Sequence, residues 1–255
     1  MEEVHNFEIL VCGEYSTNMF DYGEIITNLS SKITKITELI INYDWNNGKA
    51  NVDIPFYGRN ILESSLTAIL GRLDPFRLIL VYKVQADSSY DLGKKAQSAV
   101  EWSGDILAKE VPRNNLWLFD KKKESFDRAL LGNYVGEIIW KPAFRVLSDY
   151  IADREYDSVW LTEIISENEN SNFERAKSTA ARLFSSFSKG VHSECLIDIN
   201  TILDDVTLKS LIKDMYKLCA TLALASHFVD FLASRIDKDR ALSIFLEVEE
   251  MIGNV

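Results

Sequence analysis

Few residues in this chain stand in a pattern that carries chemistry. There are three histidines, His5, His192 and His227, and three cysteines, Cys12, Cys195 and Cys219. The histidines are far apart and form no H-E-x-x-H motif, so a histidine-cluster metal site is not expected. A carboxylate di-metal centre on helices needs paired Glu-x-x-His motifs, which this chain does not supply. No C-x-x-C pair exists, which removes zinc ribbons and thioredoxin-like redox sites. Glycine-rich phosphate loops and the G-x-S-x-G elbow are absent too, so the expectation is no cofactor. Cys219 lies in the apolar run Leu218-Cys219-Ala220-Thr221-Leu222-Ala223-Leu224 and should pack as a small hydrophobe. One cluster remains, Gly190-Val191-His192-Ser193-Glu194-Cys195. Catalytic Cys–His partners normally converge through the fold rather than along the chain. A loop hydrogen bond from His192, just past a helix end, is the simpler account.

A second group is richer in charge. Arg59, Glu63, Arg72, Asp74 and Arg77 fall within one short segment, and Arg59 and Glu63 are spaced to share a helix face. One reading is an arginine-lined groove, with Arg59, Glu63, Arg72 and Arg77 binding an anion or an acidic partner segment. The other is a set of ion pairs bracing two helices at the Asp74-Pro75 corner, the commoner role of charges interleaved with an apolar stripe. Lys121-Lys122-Lys123 is flanked by Asp120 and Glu124, which nearly cancel it and suggest a solvated loop. Trp45, Trp102, Trp117 and Trp140 fall near expected element ends, where some could anchor an interface.

The stretch Arg182-Leu183-Phe184-Ser185-Ser186-Phe187-Ser188-Lys189-Gly190-Val191-His192 loosely resembles small helical-bundle ribonucleases of the HEPN class, in which an Arg is followed by a His. In that family the two stand closer together than the nine residues that intervene here. The resemblance covers this stretch alone. It implies that Arg182 would stabilise phosphate charge and His192 would act in acid–base catalysis.

The elements that must position these residues read as helices. Ile25, Ile26, Leu29, Ile33, Ile36, Leu39 and Ile40 recur with helical spacing, ended near Tyr43 by the turn sequence Asn46-Asn47-Gly48. Leu62, Leu66, Ile69, Leu70 and Leu73 mark the next helix. Asp74-Pro75 closes it and opens another over 76–84, since Asp caps well and Pro suits the first helical turn; a buried strand is the alternative for 76–84. Further helices are expected over about 91–109, 124–139, 143–165, 173–188 and 206–235, with a last one capped by Asp237. Residues 7–12 are too few to classify by periodicity and are read as a short strand or docked arm. The polar run 166–172 is the one candidate boundary, separating an N-terminal helical lobe (1–165) from a C-terminal one (173–255) unless the two are continuous. The fold class expected is all-α, an irregular multi-helix bundle.

Composition sets the remaining bounds. With 255 residues, 47% of them hydrophobic and 26% charged, the chain can build a core without disulfides or metal. Only 4 prolines and 11 glycines interrupt it, which favours long helices over a turn-rich sandwich. A net charge of −11 disfavours direct non-specific binding to nucleic acid or anionic membrane. No secretory signal or membrane-length apolar run is visible, so a cytoplasmic location is expected. Missing motifs, acidity and abundant apolar helix faces together suggest a non-catalytic subunit or adaptor with protein partners. An accessory component of a bacterial defence assembly is the setting this suggests, and the HEPN-like ribonuclease is the alternative.

Overall fold

The computed structural model describes residues 2–16, 20–91, 93–94, 98–109, 128–191, 198 and 202–254. The fold is all-α, a helical bundle, and the described residues contain no β-strand beyond an isolated bridge between Ser103 and Leu107. Among them, no helix is long and apolar enough to cross a membrane.

Helix α1 (Glu2–Cys12) replaces the strand or arm expected at 7–12. Phe7, Leu10 and Val11 recur at helical spacing and are fully buried, a pattern too short to distinguish from a strand before its packing partners are known. Helix α2 (Phe20–Ile41) buries Ile25, Ile26, Ile33 and Ile40, whereas Leu39 of the same expected stripe turns outward. A turn at Asp44–Gly48 follows, with Gly48 at φ +71°. Helix α3 (Ala50–Leu73) is the central element, packed against α2 and both long helices of the C-terminal part. Its small residues make that possible. A Cβ on Gly58 would meet the Phe187 ring at 2.5 Å, so only glycine admits this approach.

The corner at Asp74 is built as its sequence predicts. The Asp74 N–H donates to Leu70 O at 2.7 Å, and its carboxylate accepts from Arg77 N at 3.2 Å, opening α4 (Pro75–Gln85). Residues 76–84 are therefore helix, not strand. The helix expected over 91–109 does not form in the described part. Residues 98–101 are non-helical, and Trp102–Ile106 closes one wide turn by a bond from Leu107 N to Trp102 O at 2.8 Å (the π turn), kinked at Ser103 and at Gly104, whose φ is +123°. Tertiary contacts outweigh local propensity there, because Trp102 stacks on Phe184 at 4.2 Å and Asp105 reaches Arg77.

Downstream, α5 (Asn133–Val135) runs through a π segment (Gly136–Trp140) into α6 (Lys141–Ile151), with Pro142 inside the first turn of α6. The helix expected to reach 165 breaks at 152–158. It restarts as α7 (Val159–Ser166), where Ser158 accepts from Leu161 N at 3.0 Å. The polar run 166–172 contributes a two-residue break before α8 (Glu169–Val191), and its Asn172 is buried, donating to Ile164 O at 2.9 Å. Helix α9 (Asp205–Ser226) stops well before the expected 235, and α10 (Lys238–Gly253) starts at the predicted Asp237 cap. A continuous hydrophobic cluster includes residues from both sides of 166–172, among them Leu62, Leu147, Leu183 and Leu222.

Candidate functional site

Among the described residues, Arg72 is a buried cation, only 1% exposed, on the last turn of α3. Its Nη1 donates to Val11 O at 3.2 Å and to Ser226 Oγ at 2.7 Å, its Nε donates to Ala233 O at 3.2 Å, and its Nη2 lies 3.1 Å from His227 Nδ1. No carboxylate appears among these partners. The compensating charge comes from elsewhere: α1, α3 and α9 all end here, and a helix C-terminus carries partial negative charge on its unpaired carbonyls. Burial lowers the Arg72 guanidinium to about 10, so it remains charged at neutral pH.

His227 follows from the same geometry. Its Nδ1 faces two donors, Arg72 Nη2 and the Ile236 N–H at 3.2 Å, and must therefore be bare. Its Nε2 then carries the proton and donates to Leu10 O at 2.8 Å. Burial first, and then the neighbouring Arg72, push its pKa down to about 3. A neutral imidazole with both nitrogens committed is a clasp between α1, α3 and the chain after α9. It has no free position for acid–base work. Sequence reading passed over His227 and could place Arg72 only on a helix face; the charge inside the stripe was the available signal.

The other residues of the charged segment point elsewhere. Arg59 pairs with Glu63 at 3.1 Å, donates to Ser188 Oγ at 3.0 Å and lies over the Phe184 ring at 4.4 Å, binding α3 to α8. Arg77 pairs with Asp105 at 3.1 Å and Asp74 at 3.5 Å, and donates to Arg128 O at 3.2 Å. Arg72 thus faces the interior, Arg59 and Glu63 face α8, and Arg77 faces the π turn. The four do not share one groove.

Arg182 is half-exposed on α8 and pairs with Asp214 of α9 at 2.7 Å. It lines a cleft of about 200 Å³ between α7, α8 and α9, with Glu163, Arg175 and Lys217. Glu163 bridges Arg175, at 3.3 Å, and Lys217, at 2.5 Å. Each charge in this cleft has an opposite partner on an adjoining helix. His192, Cys195, Lys121-Lys122-Lys123 and Trp117 lie outside the described residues, so no geometry joins His192 to Arg182. Cys12 and Cys219 are buried, and burial raises both thiols, that of Cys219 to about 12, which leaves neither a ready nucleophile. Trp140 is fully buried with Nε1 bonded to Leu130 O at 2.7 Å, a core role.

Helix α4 carries a further feature, an apolar face. On α4, Phe76 (72% exposed), Leu80 (55%) and Val84 (39%) stand four residues apart, opposite the buried Leu78. Asp74, two residues before this stripe, lines an open groove of about 310 Å³ together with Leu70, Leu73, Arg128, Tyr134 and Ile138, and Ile138 is itself 57% exposed.

Comparison with known proteins adds no relative: no family model, no curated protein and no solved structure matches this chain.

Proposed function

We propose that this protein is a non-catalytic helical subunit or adaptor, and that it engages a partner protein through the α4 face. The observation that carries the reading is the exposed stripe Phe76, Leu80 and Val84, which begins two residues after Asp74 of the groove wall. Contiguous exposed apolar surface of this kind marks interaction sites, whereas single exposed hydrophobics need no explanation. Two features add support. Arg59, Arg77 and Arg182 are ion-paired within the bundle, and Arg72 is held by buried hydrogen bonds. Burial and the neighbouring Arg72 keep His227 neutral, and both of its ring nitrogens are already bonded.

The test uses the full chain, tagged at its natural level in its own cells and purified under native conditions. The expected result is a stoichiometric complex, larger than the 29.1 kDa chain, that the double variant Phe76→Asp/Leu80→Asp no longer forms. Circular dichroism of the variant should match the parent, because both side chains are exposed. A parent that elutes alone, or a variant that keeps its partner, overturns the reading.

A further inference from the structure

We infer that the occupant of the α4 groove is an amphipathic α-helix that sets a carboxylate against Arg128. This rests on the docking reading above and names the partner's chemistry.

The helical form follows from hydrogen bonding. A partner segment buried on this face must satisfy its own N–H and C=O groups, because the described surface there is built from helices and offers no strand edge. A helix satisfies them internally, but an extended segment would bury them unpaired. The geometry agrees. The stripe from Phe76 to Val84 covers about 12 Å at the usual helical rise, matching roughly two turns of a partner helix. The groove at its start has room for one or two large apolar side chains.

The charge follows from which groups on the rim are already committed. Arg77 and Asp74 pair with each other, and Arg77 also holds Asp105. Lys141 pairs with Glu137, and Lys83 with Asp21. Arg128 is exposed, lines the groove and has no ion pair among the described residues. At physiological ionic strength the Debye length is about 8 Å, so the distant charges behind the net −11 are screened and direct contact with this unpaired guanidinium sets what a docked side chain meets. A carboxylate on the partner would complete it. A lysine there would meet a like charge.

Three synthetic helical peptides, stapled and sharing one leucine face, are the probes, with Glu, Lys or Gln flanking that face. Binding to the full-length protein is read by fluorescence anisotropy at 150 mM salt. The Glu peptide should bind about 3- to 10-fold tighter than the Lys peptide, the scale of one or two rim charge pairs. Arg128→Glu should reverse that order while leaving the circular dichroism spectrum unchanged. Equal binding of all three, unaffected by Arg128→Glu but lost in Phe76→Asp/Leu80→Asp, overturns the charge assignment and leaves the docking face standing. Binding by none of them overturns the helical occupant, and the native complex then decides the docking reading independently.

Discussion

Arg72 shows how a buried cation can be held without a counter-ion. Its donors reach the Val11 carbonyl, the Ser226 hydroxyl and the His227 imidazole, all at helix C-terminal ends, and the Ala233 carbonyl in the segment before α10. Removing the side chain leaves those acceptors buried and unpaired, so Arg72→Met should cost about 3–5 kcal/mol. Urea denaturation checks this, and Arg72→Lys should recover little, because one ammonium cannot span the same directions. His227 supplies a pH signature. Its folded pKa of about 3 lies below its ordinary 6.5, so between those values the unfolded chain binds a proton that the folded chain refuses. The stability it contributes is therefore complete above about pH 6.5 and is lost as pH falls toward 3. At pH 5 the loss relative to pH 7 is about 2 kcal/mol, from about 1.4 kcal/mol per pH unit. His227→Gln keeps a donor and an acceptor but cannot titrate. Denaturation at pH 7 and pH 5 should show the variant losing about 2 kcal/mol less than the parent over that interval. Equal losses would mean that His227 is not the buried neutral imidazole described here.

Individual helices show where periodicity was a sufficient guide. Asp74 and Asp237 were readable as caps because a short carboxylate before a helical run has one favourable use, accepting from the first-turn N–H groups. Boundaries failed where a distant contact intervened. The helix expected over 91–109 gives way to a π turn held by Phe184 and Arg77, and α9 ends at Ser226, next to the Arg72 clasp. The contact of α3 with α8 yields a prediction of unusual sign. Gly→Ala inside a helix normally gains about 1 kcal/mol from backbone propensity. At Gly58 the added methyl would strike the buried Phe187 ring, so Gly58→Ala should instead destabilise the fold by about 1–3 kcal/mol, seen as a lower melting temperature. A raised melting temperature would show that the ring can yield.

Across the whole molecule, the interior and one outer face carry different information. Arg59, Arg77 and Arg182 tie separate elements together, and the exposed Arg182–Asp214 pair is the weakest kind of such link. Arg182→Ala should change stability by less than about 1 kcal/mol in denaturant titrations. A larger effect would mean that the cleft between α7, α8 and α9 braces the bundle. The α4 face behaves oppositely. Its apolar residues are largely exposed, so the Phe76→Asp/Leu80→Asp variant should change its melting temperature little while losing assembly.

The amino-acid order alone was enough for the all-α class, the Asp74 corner, the buried Cys219 and the central stripe of α3, because helical spacing and capping are local properties. It also placed the candidate residues in the chain, Arg59, Glu63, Arg72, Arg77 and Arg182 among them. Their roles needed the assembled bundle. Whether an arginine on a helix faces solvent or the meeting point of three helix ends depends on neighbours that are distant in sequence: Arg72 meets Val11 across 61 positions and His227 across 155. The same holds for Phe76, Leu80 and Val84, whose spacing reads as core and whose exposure appears only once the other helices have packed around α3.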